Sequence, residues 1–243
     1  MIHYHGCPLS GDTVTQMALR GRHAMVSYAA PDTLQLAAEI CQSFALDNGA
    51  FSAWTRGEAL DAPGYWRWAS DWSRHPGFDW CLIPDVIDGS ESDNDALLVD
   101  APSVHWCVPV WHLHESIERL ERLAADWPRV AFGSSGQFAT PGSPSWWERM
   151  SQAMHVVCDS EGRPAVKLHG LRMLDTAITS EVPLSSADST NVARNIGIDK
   201  RWTGPYVPPS KDARAIILMD RIESHAVASR WTGHRGRNFE LFG

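Results

Sequence analysis

Short apolar runs recur along the chain, each followed by Gly, Asp, His or Ser and then by a stretch of helical spacing. The runs at 2–6, 24–29, 43–47, 79–84, 105–111, 129–133, 165–169 and 182–187 read as strands. Between them, 31–41 opens on Pro31 and keeps an apolar face at helical spacing, which predicts a helix. The segment 63–75 reads as an aromatic-rich helix with Trp66 and Trp68 on different faces. The clearest helix is 115–127, where Ile117, Leu120, Leu123 and Ala124 form one stripe opposite Glu and Arg. Further helices are expected at 144–157 and 212–228, with the Pro- and Gly-bearing 202–210 as a linker to the last. Strands separated by helices imply parallel βαβ units. Eight of them in about 190 residues predict an α/β fold, a compact (β/α)8 TIM-type barrel with a basic C-terminal helical extension. A doubly wound open sheet is the alternative. The expected organisation is a catalytic barrel over 1–200, with 201–243 as a basic linker, helix and tail packed on or beside it.

Composition narrows the class. With 243 residues and 44% hydrophobic content the chain can bury a substantial core. No run of eighteen apolar residues occurs, which excludes a membrane-spanning helix. The opening MIHYHGCPLSG lacks the basic-then-apolar layout of a secretory signal, so a cytoplasmic protein is expected. Five cysteines (7, 41, 81, 107 and 158) stand apart with no Cys-x-x-Cys pair, so they read as small buried hydrophobes. The net charge is −8, yet residues 194–237 hold nine Lys/Arg against four acids. That stretch is therefore +5 and the remainder −13, an asymmetry that suits one end meeting a polyanion or, equally, a solvated tail.

In a barrel of this kind the active site lies at the C-terminal ends of the strands. Polar residues gather there: His5 and Gly6, Asp47 and Asn48, Asp85 and Asp88, His112 and His114, Gly133 and Ser134, His169 and Gly170, Asp188 and Ser189. One or two would be ordinary helix caps; so many point to an enzyme. Two chemistries compete. A metal-dependent, amidohydrolase-like hydrolase acting on a nucleobase or nucleoside would use His3-x-His5, Lys167, His169 and Asp188, with His112-x-His114 as a rival pair. Base exchange at a glycosidic carbon needs no metal. It needs aspartates converging from different strand ends, and Asp47, Asp85 and Asp188 are the candidates.

The succession LDNGAF (46–51), IPDVID (83–88), VWHLHE (110–115), FGSSGQF (132–138), KLHGL (167–171) and SADSTNVAR (186–194) resembles the tRNA-guanine transglycosylase superfamily. The likeness is greatest to the phage and bacterial members that insert 7-deazaguanines into DNA, which the opening YHGCPLSG (4–11) of this chain also resembles. The resemblance implies Asp188 as nucleophile, Asp47 as general acid/base and Asp85 as base reader. It implies Gly133 and Ser134 as the turn against the heterocycle, and Arg194 at the spacing of the family's arginine. The family's base-reading glutamine is absent, and Trp111 or His112 stands in its place. His169 and Gly170 would line the pocket, and Phe51, Trp54, Trp111 and Phe138 are candidates to stack on an extruded base. Arg194, Lys200 and Arg201 would hold phosphates. The family's Cys-x-Cys-x-x-Cys…His zinc motif has no counterpart, so no cofactor and no metal are expected. The implied partners are DNA rather than tRNA and a 7-deazaguanine base such as 7-cyano-7-deazaguanine, with no membrane and with a homodimer as a candidate assembly. The implied location is the cytoplasm, that of the host for a phage-encoded chain.

Plainer readings stand beside these. Asp188 suits a cap on the helix after it, Asp85 a turn, and His169 a satisfied core histidine. Asp88, Glu91, Asp93 and Asp95 read as a solvated acidic loop. Trp66, Trp68, Trp72, Trp146 and Trp147, in helical stretches, read as packing.

Overall fold

A computed structural model describes residues 1–103, 105–197 and 207–234. Nine strands form one all-parallel sheet: β1 (Ile2–Cys7), β2 (His23–Ser27), β3 (Ser43–Asp47), β4 (Phe78–Leu82), β5 (Cys107–Val108), β6 (Val110–His112), β7 (Arg129–Gly133), β8 (Lys167–Gly170) and β9 (Ser186–Ser189). Their order is β5-β4-β3-β2-β1-β9-β8-β7-β6. The two ends of the sheet, β5 and β6, are consecutive in the chain and separated by Pro109 alone, so the sheet curls into a nearly closed barrel. The single strand expected at 105–111 is thus two. Pro109 has no N–H to donate, while its carbonyl accepts from the Ala131 amide of β7 at 2.9 Å. The last strand begins at Ser186 rather than 182, because Val182 and Leu184 belong to the loop before it.

The helices are α1 (Asp12–Leu19), α2 (Thr33–Ile40), α3 (Ala50–Arg56), α4 (Ala62–Trp72), α5 (Glu91–Leu98), α6 (Ile117–Asp126), α7 (Pro144–Val157), α8 (Thr176–Thr179), α9 (Asn191–Asn195) and α10 (Lys211–Glu223). Their starts are coded locally. Ser116 accepts from the Arg119 amide to open α6, and Ser143 from the Trp146 amide to open α7, which has Pro144 in its first turn. Most of the acidic stretch expected as a loop, from Glu91 on, is the helix α5, opened by a reciprocal capping box between Ser90 and Asp93. Its acids are used: Glu91 accepts from Ser116, and Asp95 pairs with Arg119 at 2.8 Å and Arg122 at 3.0 Å. No described helix is long and apolar enough to cross a membrane.

Strand alternation splits the apolar residues into two cores. Tyr4, Met25, Ala45, Trp80, Leu82, Val108, Val110 and Ala131 fill the barrel interior. Leu46, Cys81, Trp111, Phe132, Leu168 and Ala187 face outward onto Leu34, Leu120, Leu123, Trp146, Met150 and Met154 of the helices. Ala215 and Met219 of α10 belong to this outer core, and α10 packs against α1 and α9. Of the five cysteines, Cys7, Cys81 and Cys107 are buried, Cys41 and Cys158 partly so, and all are free thiols.

One buried ion pair fixes the β6 side of the mouth. Arg119 and Glu115 are both almost fully enclosed and meet at 2.7 Å. Arg119 also donates to the Val110 carbonyl, while Glu115 accepts from the His112 amide and from Asn94. Removing one partner of such a pair strands the other charge in a medium that solvates it poorly. Glu115→Ala is expected to lose about 3–5 kcal/mol in urea unfolding, whereas Glu118→Ala, one turn on and exposed, stays within about 0.5 kcal/mol of wild type.

Candidate active site

The C-terminal strand ends surround a cavity of about 290 Å³. Of the residues expected there, Asp47, Phe51, Asp85, His112, Gly133, Ser134, Asp188 and Arg194 line it. Gly6 and Asn48, named at strand ends without a role, line it with them, as does Arg172, which the sequence did not single out. Three aspartates from three different strand ends therefore face one space.

Asp47 is the last residue of β3, two places beyond the inward-facing Ala45. Burial pushes its pKa from the usual carboxylate range up to about 6; the charges of Asp188 and Asp85 push the same way, and hydrogen bonds from Ser27 and the Gly49 amide oppose them. Gly49 turns the chain into α3 with φ of 80°, and a side chain there would press on the Ala29 amide at 3.1 Å.

Asp85 sits after β4 with both oxygens engaged. Asn48 donates to Oδ1 at 2.7 Å, and His112 Nε2 lies 2.9 Å from Oδ2. Asn48 also donates to the Ile83 carbonyl and accepts from the Ala50 amide, so it ties the β3 and β4 ends together. His112 points inward because it is two residues beyond Val110. Its Nδ1 is buried and has no partner among the described residues. A Cβ on Gly133 would stand 2.9 Å from that nitrogen, so glycine lets the β7 backbone pack against this edge of the imidazole.

Asp188 is buried at the end of β9. Its Oδ1 accepts the Arg172 amide at 2.9 Å, and His169 Nε2 lies 3.3 Å from the same oxygen. The helix after it has Thr190 at the N-cap position and its Asn191 amide donates to Ser189 Oγ at 2.9 Å, so the capping reading fails: the Asp188 carboxylate turns into the cavity. Arg172 holds φ of 56°, the one positive φ outside glycine among the described residues. Its guanidinium lies 4.2 Å over the Phe51 ring, and Phe51 in turn leans on Trp54.

Several expectations need correcting. Trp111 does not reach the cavity: it alternates with His112, faces outward against Phe132, and donates to the Ser116 carbonyl. His169 is inside the barrel but one layer below the cavity, fully buried, edge-on to Trp80 and bonded through Nδ1 to Ser186 at 2.9 Å. It contacts Asp188 rather than lining the space. Gly170 faces the outer layer, where a Cβ would meet Leu184 and Met173. Trp54 is about half exposed and bonds Asp88, and Phe138 lies under Arg149 in a neighbouring groove. Lys200 and Arg201 lie outside the described residues. Within the basic stretch, Arg214 is buried and spent on the Ile196 and Pro208 carbonyls.

The histidine pair proposed for metal does not assemble at the mouth. His5 points outward, away from the cavity, and its Nε2 meets Glu223 of α10 at 2.8 Å. Lys167 starts β8 at the opposite end of the barrel. His114 leaves the strand and bonds Ser135 and the Gly89 carbonyl. Among the described residues no three His, Cys, Asp or Glu side chains gather as a metal site.

Comparison with protein-family models, curated proteins and solved structures gives no match for this chain.

The raised pKa of Asp47 fixes the sign of a stability effect. Relative to the unfolded chain, folding holds a proton on Asp47 between about pH 4 and 6, so this stabilising contribution is present below pH 4 and lost as pH rises through 6. Asp47→Asn, which carries no charge to bury, is expected to be more stable than wild type by about 1–3 kcal/mol at pH 7.5 and to lose that advantage by pH 4. Urea unfolding of both proteins at the two pH values checks it.

Proposed function

We propose that the chain is a DNA guanine transglycosylase, exchanging guanine for a 7-deazaguanine through a covalent aspartyl-glycosyl intermediate on Asp188. The observation that carries this reading is the convergence of Asp47, Asp85 and Asp188 on one cavity, each in a different environment. The same reading counts β5 and β6 as one strand interrupted at Pro109, giving an eight-stranded (β/α)8 barrel with α10 as its C-terminal extension.

In this mechanism Asp188 attacks C1′ of the sugar as the bond to guanine breaks, and an ester between carboxylate and C1′ forms. Asp47, holding a proton more readily than an ordinary carboxyl, passes it to the departing nitrogen. The incoming base returns its proton to Asp47 as its nitrogen attacks C1′ and releases Asp188. Asp85, fixed by Asn48 and His112, and the open edges of Gly133 and Ser134 read the heterocycle. Phe51 supplies an apolar face for a base taken out of the stack, a step that costs a few kcal/mol. A cavity of this size receives one nucleotide rather than a stretch of polymer, which suits base flipping.

The test is incorporation of labelled guanine or 7-cyano-7-deazaguanine into DNA, beside tRNA. Label is expected in DNA only, to fall steeply with added salt, and to persist in chelator. Asp188→Asn should lower the rate by about a thousandfold or more, and Asp47→Asn by about a hundredfold or more. Exchange undiminished in Asp188→Asn would overturn the assignment.

A further inference from the structure

Arg172 is a residue the chain holds against a conformational preference. A left-handed backbone disfavours any residue with a Cβ, and glycine would relieve it. The turn itself does not require arginine, because the bond that ties it to Asp188 comes from the backbone amide, which glycine also has. The side chain is thus the part left to explain. It lines the cavity at its exposed rim, stacked on Phe51, with a long 3.4 Å contact to the Ser134 carbonyl. No carboxylate pairs with it among the described residues, although Asp47 and Asp188 share the cavity. Arg194 lines the same cavity, likewise without an ion-pair partner among the described residues, and its charge acts on Arg172. The Asp188 and Asp47 charges also act on Arg172 without an ion pair forming, so beyond the long Ser134 contact its guanidinium donors are left to face the opening.

We propose that Arg172, with Arg194 beside it, forms a phosphate subsite at the rim, so that the site takes a nucleotide rather than a nucleoside. The base-reading groups lie deeper, around Asp85 and His112, so the part of a nucleotide left at the rim is the sugar's phosphate. A guanidinium offers a planar fork of donors suited to phosphate oxygens, and stacking on Phe51 fixes its plane. The two cations also offset the three carboxylates that would otherwise repel an anionic substrate. The anion site stands on the arginines, while the seating of the base below it rests on the transglycosylase reading.

The test is calorimetric binding of deoxyguanosine, deoxyguanosine monophosphate and 2-deoxyribose 5-phosphate to the wild type and to Arg172→Gly. The glycine variant relieves the strained backbone and keeps the amide, so its melting temperature should not fall. The phosphate is expected to improve wild-type affinity about tenfold to a hundredfold over the nucleoside, and Arg172→Gly to bring nucleotide and nucleoside affinities together. Equal affinities for nucleoside and nucleotide, or a gain that survives Arg172→Gly, would overturn the phosphate subsite and leave the base reading standing. Arginine-dependent binding of deoxyribose phosphate with no preference for guanine would do the reverse. Binding of none of the three probes would reject both.

Discussion

In a parallel barrel every strand turns alternate residues inward, and a shift of one residue would send each of them to the helix layer instead. That constraint governs the mouth of this molecule. Ala45 to Asp47 on β3 and Val110 to His112 on β6 are two-residue steps up the barrel wall. Ala131 to Gly133 on β7 is a third. The interior layer of Tyr4, Met25, Trp80 and Val110 holds the register, because moving any of these strands by one place would exchange these residues with the differently shaped ones packed against the helices. Function and packing are therefore written on the same face of the same strands.

Above that layer the site solves a problem of charge. Three carboxylates share one small space, and the surroundings make them unlike. Asp85 is held through both oxygens by Asn48 and His112, so it is a fixed acceptor with lone pairs to spare. Asp188 is oriented by the Arg172 amide and backed by His169. Asp47 is the one whose protonation is pushed toward neutral pH by burial and by the other two. Separating the properties of neighbouring carboxyl groups is how one site can hold both an attacking group and a proton donor. The supports lie outside the cavity. Glu115 and Arg119 pin the β6 end, α5 bridges to α6 through Asp95, and α10 meets His5 on the outer face of β1.

Much of this was legible in the sequence. Apolar runs ending in Asp, His or Gly located most of the strands to within a few residues, because fully buried parallel strands read as continuous apolar segments. Asp47, Asp85, His112, Gly133 and Asp188, picked out by their positions at strand ends, line one cavity. What failed was finer. Trp111 and His112 are adjacent, and only the inward phase of β6 decides which one faces the site. Gly170 and the outward histidine of β1 failed for the same reason. The acids of 88–95 hid a helix, since Ser90 and Asp93 at capping spacing are a stronger signal than the polarity around them. Arg172 was missed altogether. A left-handed arginine has no sequence signature, and its interaction with Asp188 comes through a backbone amide that any residue could supply.

The central claim is that Asp188, rather than Asp47 or Asp85, forms the bond to the sugar. The most direct measurement is peptide mass mapping of the protein quenched during turnover with guanine-containing DNA. The account predicts a glycosyl adduct on the peptide containing Asp188 and on no other. An adduct carried by Asp47 or Asp85, or base exchange proceeding with no adduct at any aspartate, would contradict it.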